Sequence, residues 1–97
     1  MADSGLSEID IAKLTPDIAK LDASGNSLTV LPPEVGNCTA LEELLLFANQ
    51  LKVLPKELSG EKLPKLRVLN LFNNKVMKLP VEIGTLSELE EVCLRPL

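Results

Sequence analysis

Ninety-seven residues, ten basic against fourteen acidic side chains for a net charge of −4, and no histidine set the first limits. That length holds one domain; the negative balance opposes a nucleic-acid partner, which needs clustered Lys and Arg. The lack of histidine removes Ser-His-Asp and Cys-His nucleophiles and imidazole metal ligands.

At the N-terminus, MADSGLSEID has neither a basic stretch nor an apolar one of the kind a secretory leader carries, and no segment approaches the apolar length of a membrane span. The expectation is a soluble, cytoplasmic protein without a membrane partner. From Leu6 the apolar positions Leu6, Ile9, Ile11, Ala12 and Leu14 predict a short amphipathic helix, with Ser7 and Asp10 at capping-box spacing. Thr15-Pro16 ends it, because the residue before proline is pushed out of the α region.

The chain then repeats itself. Ile18, Leu21, Ala23, Asn26, Leu28, Leu31 and Pro32 recur as Leu41, Leu44, Leu46, Asn49, Leu51, Leu54 and Pro55, and again as Leu66, Leu69, Leu71, Asn74, Val76, Leu79 and Pro80. Such self-similarity predicts stacked layers and not a globule folded about one centre. With 45% hydrophobic but only 2% aromatic residues, aliphatic side chains must supply nearly all of the burial between those layers. Repeats are expected at 18–40, 41–65 and 66–88, with a partial fourth at 89–97 and residues 1–17 as a cap on the open edge of the first.

Each repeat opens with a short strand whose inward side chains are Leu21 and Ala23, Leu44 and Leu46, Leu69 and Leu71, and Val92 and Leu94. Asn26, Asn49 and Asn74 follow where the chain turns sharply, and their amides are expected to satisfy backbone groups as an internal ladder. Return legs start at Leu31-Pro32, Leu54-Pro55 and Leu79-Pro80 and carry Val35, Leu58 and Ile83. They predict short helical or 3₁₀ turns with Glu34, Glu57 and Glu82 near their N-termini. The extra residues of repeat two, within Ser59-Gly60-Glu61-Lys62, fall on the side away from the strands and leave the register intact.

This pattern, LxxLxLxxNxLxxLPxx with a final aliphatic residue, resembles the leucine-rich repeat family over residues 18–94, and its recurring Leu-Pro is similar to the Ras-group, typical intracellular class. The resemblance implies an α/β solenoid with a short parallel β-sheet on the concave face, helical or 3₁₀ turns on the convex face and an N-terminal capping helix. It also implies a protein-interaction module in signalling or regulation, around small GTPases, kinases or phosphatases.

No chemistry of catalysis is visible, and neither cofactor nor metal is expected. Cys38 points inward and Cys93 outward, so they neither pair nor share a metal. Glu88-Leu89-Glu90-Glu91 has no accompanying Asp-rich glycine loop and reads as a solvated face. What remains is the outward row of the strands: Lys20, Asp22 and Ser24; Glu43, Leu45 and Phe47; Val68, Asn70 and Phe72; Glu91, Cys93 and Arg95. Leu45, Phe47, Val68 and Phe72 are apolar where stacking needs no burial, and both Phe residues share a column in adjacent strands. With Glu43, Asn70, Glu91 and Arg95 at the rim, they are the candidate partner-binding residues. A second expectation is a structural role, as the N-terminal segment of a longer solenoid or through self-association at the open C-terminal edge, where Leu97 takes the ladder position.

Overall fold

The computed structural model describes residue 5 and residues 8–93, except the side chain of Cys93. Four three-residue strands, β1 (Lys20–Asp22), β2 (Glu43–Leu45), β3 (Val68–Asn70) and β4 (Glu91–Cys93), form one parallel sheet in chain order. Leu21 pairs with Leu44, Leu44 with Leu69 and Leu69 with Val92, so equivalent repeat positions meet across every strand pair. Backbone bonding runs past the strands themselves: Glu42 N donates to Ala19 O at 2.7 Å, and Gly25 N to Phe47 O at 2.9 Å. The insertion in repeat two does not disturb this register, because it lies between one strand and the next on the return side.

Alternation within each strand sorts the side chains. Leu44, Leu46, Leu69 and Leu71 are fully buried, and they join Leu28, Leu51, Leu58, Leu63 and Leu66 in one aliphatic core. Each such side chain contributes about 1.5–3 kcal/mol by leaving water. Burial thins toward the C-terminal side, where Val76, Leu79, Ile83 and Leu89 are only partly covered. Val92, expected to point inward, is 42% exposed in the last strand, which has a neighbour on one side only. Leu94 and Leu97 lie outside the described residues.

Sharp turns follow the strands through a left-handed residue: Gly25 at φ 69°, Ala48 at 58° and Asn73 at 58°. The next residue in each case is the ladder asparagine. Asn49 Nδ2 donates to Ala23 O and Leu46 O at 3.0 Å each, and its Oδ1 accepts from Leu28 N at 3.0 Å. Asn74 repeats the pattern toward Leu46 O, Leu71 O and Leu51 N. Among the described residues, every buried side-chain nitrogen or oxygen has a hydrogen-bond partner.

Return legs one and three are 3₁₀ turns, Pro33–Asn37 and Val81–Thr85, with Glu34 and Glu82 in their first turns. Leg two is a correction to the expected helical turn, since it contains bends and turns only. Its extra residues divert the chain: Leu63 N reaches back to Ser59 O at 2.8 Å, and Gly60 N donates to Thr85 Oγ1 of the next leg at 2.8 Å. A Cβ at Gly60 would collide with the Thr85 carbonyl, so that close approach requires glycine.

The N-terminal helix is also shorter than expected. Asp10 caps a single 3₁₀ turn, Ile11–Lys13, by accepting from Ala12 N at 3.0 Å, and Thr15-Pro16 prevents any extension. Leu6 and Ser7 lie outside the described residues. Ile9 and Leu14 nonetheless join the core beside repeat one, whose Thr29, Val30 and Pro32 share a cleft with Ile9 and Ile11.

Candidate protein-binding face

Parallel pairing fixes the outward row of the sheet into columns. Lys20, Glu43, Val68 and Glu91 form one, and Asp22, Leu45, Asn70 and Cys93 a second. Beyond the strands, Ala48 N donates to Phe72 O at 2.9 Å and Gly25 N to Phe47 O, which sets Ser24, Phe47 and Phe72 as a third.

Within these columns Phe47 is 37% exposed and Phe72 44%, while Leu45, Val68 and Asn70 are half-buried and Glu91 is exposed. Arg95 and the side chain of Cys93 lie outside the described residues. Ser24 is the outward residue that does not stand free: it is 3% exposed, a short side chain folded back onto Asp22. Its hydroxyl donates to Asp22 Oδ1 at 2.6 Å, and its N–H donates to the same oxygen at 3.1 Å. That hydroxyl bond holds the Asp22 carboxyl below its usual pKa, against the opposing effect of partial burial. Asn70, two members along the same column, uses its Oδ1 in the same way toward Phe72 N at 3.0 Å.

The face also carries an ion-pair cluster beside its outward row. At the entrances of the strands, Arg67 lies 3.6 Å from Glu42 and 3.4 Å from Glu43, engaging two carboxylates at once. Glu42 and Arg67 precede the outward residues by one position, which is why counting alternate positions missed them.

Catalytic chemistry finds no support in the described residues. No cluster of three acidic or cysteine side chains there could hold a metal ion. Cys38 is fully buried, and burial pushes its thiol pKa up, away from the thiolate that a nucleophile needs. Among the described residues, no helix is long and apolar enough to cross a membrane.

Outside the sheet, alternate-position counting missed several exposed aliphatics. Val30 (56%), Val53 (64%) and Met77 (86%) lie in the loops that follow the ladder asparagines, and all three are more exposed than either Phe.

A stack of short parallel strands, asparagine ladders and Leu-Pro return turns defines a solenoid of repeats, and comparison with known proteins names the class. Residues 39–91 match the family profile described as Leucine Rich repeats (2 copies), and residues 17–38 match Leucine Rich Repeat. The chain belongs to the leucine-rich repeat family. It is 45% identical over 67 residues to mouse leucine-rich repeat and calponin homology domain-containing protein 1, covering 69% of this chain and 9% of that protein. It is 42% identical over 72 residues to mouse leucine-rich repeat-containing protein 58, covering 70% and 20%. Rat leucine-rich repeat-containing protein 7 is 42% identical over 74 residues, 75% of this chain and 5% of that protein. A solved leucine-rich repeat protein of Leptospira interrogans superposes with a TM-score of 0.80 at 37% identity, covering 93% of this chain and 23% of that one. The chain thus spans between 5% and 20% of the length of these curated relatives. Repeats of this family generally mediate protein–protein contacts and are typically non-enzymatic.

Proposed function

We propose that this module holds a partner protein against the outward face of its sheet, in an intracellular signalling or regulatory setting. Leu45, Phe47, Val68 and Phe72 form the apolar centre, and Glu43, Asn70, Glu91 and Arg95 the polar rim. The observation that carries the reading is the pair of phenylalanines. They are the only aromatic residues in the chain, both are substantially exposed, and their backbones are neighbours in adjacent layers. The stack itself does not call for an aromatic there, since the equivalent residue in repeat one is Ser24. Glu42 and Glu43 share one Arg67, and with Glu91 they leave an acidic excess that favours a partner whose contact surface carries basic residues around an apolar centre.

The test is affinity capture from cell lysate with the wild-type chain beside Phe47→Ser/Phe72→Ser and, as a control on the opposite side, Lys62→Ala. A partner retained by wild type and Lys62→Ala but lost with the double variant supports the reading. Equal retention by all three overturns it.

A second reading is self-association through the last layer, favoured by Val92 at 42% exposure and by the half-covered Leu79, Ile83 and Leu89. Sedimentation equilibrium showing a monomer across the accessible concentration range would eliminate it.

A further inference from the structure

The loops that follow the ladder asparagines form a flank distinct from the sheet face, and its charge runs against that of the whole chain. Residues 27–31, 50–54 and 75–79 contain Lys52, Lys75 and Lys78 and no Asp or Glu, although acidic residues outnumber basic ones fourteen to ten overall. The loops are held in step: Gln50 N donates to Leu28 O and Lys75 N to Leu51 O, each at 2.8 Å, and Val30 bridges Val53. Lys75 is thereby placed one layer beyond Gln50, Met77 beyond Lys52 and Lys78 beyond Val53.

All three lysines are exposed, and among the described residues none is paired with a carboxylate. Lys52, Asn74, Lys75 and Met77 line one cleft, with the Met77 side chain 86% exposed beside it and Val53 at 64% in the adjoining layer. A flexible thioether amid unpaired ammonium groups combines adaptable apolar contact with a concentrated positive field.

We infer that this flank is a second docking surface, for an acidic polypeptide segment that brings an apolar side chain to the Met77 cleft and carboxylates to Lys52, Lys75 and Lys78. Charge complementarity selects the occupant. Apolar anchors fill the cleft, and the lysines set encounter rate and register. The surface is independent of the sheet face, whose excess charge is acidic, so one layer stack presents two surfaces of opposite preference.

The experiment is an NMR titration of the isotope-labelled full chain with a synthetic hexapeptide, Glu-Glu-Leu-Phe-Glu-Glu, capped at both ends. Control arms use the same peptide with glutamine for glutamate, and vesicles of phosphatidylcholine with phosphatidylserine. Amide shifts confined to residues 50–53 and 74–78 are expected, with affinity reduced at least about tenfold by Lys75→Glu/Lys78→Glu and also by high salt. Met77→Ser should weaken binding severalfold. Phe47→Ser/Phe72→Ser should leave it unchanged, which separates this surface from the sheet-face proposal. Shifts elsewhere, equal binding of the glutamine peptide, no shift at millimolar peptide, or sedimentation with the vesicles in the absence of peptide binding would each overturn the inference.

Discussion

Asn49 Oδ1 accepts the backbone N–H of Leu28 at 3.0 Å, although Leu28 belongs to the preceding layer. The same side chain donates to Ala23 O in that layer and to Leu46 O in its own. One amide therefore ties two layers together at the point where neither strand nor return leg can.

Replacing Asn49 with leucine suits the apolar core by hydrophobicity but strands the Leu28 N–H, while Ala23 O and Leu46 O each lose one of two donors and keep Asn26 Nδ2 and Asn74 Nδ2. The expected loss is about 1–3 kcal/mol, the cost of leaving a buried backbone group unpaired. Urea unfolding of Asn49→Leu measures it, and stability equal to wild type would mean that water or a shifted backbone replaces the ladder.

Leu44 and Leu45 offer a comparison between faces of one strand. Leu44 is fully buried between Leu21 and Leu69, whereas Leu45 is half-buried on the outward side. Leu44→Ala should cost about 2–5 kcal/mol through lost burial and a residual cavity. Leu45→Ala should cost less than about 1 kcal/mol, nearer the range of surface changes. Similar melting temperatures for the two variants would contradict the assigned faces.

The strand register was legible because leucine, asparagine and Leu-Pro recur at fixed offsets, and a parallel stack must align like positions. The buried Asn49 was legible for the same reason, since a polar residue recurring inside an aliphatic pattern implies a backbone role. Burial of Ser24 was not, because it comes from a short side chain bonded back to Asp22, whereas Phe47 and Phe72 at the equivalent position stay exposed. The helical turn expected in repeat two failed where Gly60 and Leu63 reroute the leg. Candidate residues on the flank escaped notice because only strand positions were counted, and Met77 sits beyond the strand.

Ala48 carries a backbone cost that Gly25 avoids and that Asn73, a residue type more tolerant of this region, bears in part. At φ 58° it occupies the left-handed region used by Gly25 and Asn73 in the other layers. A residue with a Cβ pays roughly 1–2 kcal/mol there, and glycine's added freedom when unfolded returns about 0.4–1 kcal/mol of that. Ala48→Gly should therefore stabilise the chain by up to about 1 kcal/mol, while Gly25→Ala should destabilise it by a similar amount. Thermal melts of the two variants should move in opposite directions.

The Ser24 hydroxyl gives stability a pH dependence. It depresses the folded-state pKa of Asp22, so the contribution is complete above the unfolded value of about 3.9 and is lost as pH falls through the lower folded value. Ser24→Ala should raise the Asp22 pKa toward the ordinary carboxylate range. The stability gap attributable to this pair should be widest near neutral pH and narrow in acid. Carbon-detected NMR titration of Asp22, with urea unfolding of both proteins at neutral and acid pH, checks both expectations.

Phe47 and Phe72 separate binding from folding. Each ring still has more than half its surface covered, so truncation to alanine should cost stability, but less than removal of a core leucine such as Leu69. If the rings anchor a partner at the centre of the face, each truncation should weaken binding by about 1–2 kcal/mol or more, and their adjacency predicts that the double variant departs from additivity. Rim charges should act differently. Glu91 should affect association rate and its salt dependence more than Glu43, because Glu43 is already engaged by Arg67 at 3.4 Å. The measurement is a binding titration against the captured partner, paired with thermal melts, for both single variants and the double. Undiminished affinity in the double variant would move the contact to another surface of the solenoid, and a melting temperature as low as that of Leu69→Ala would show that the rings serve the core.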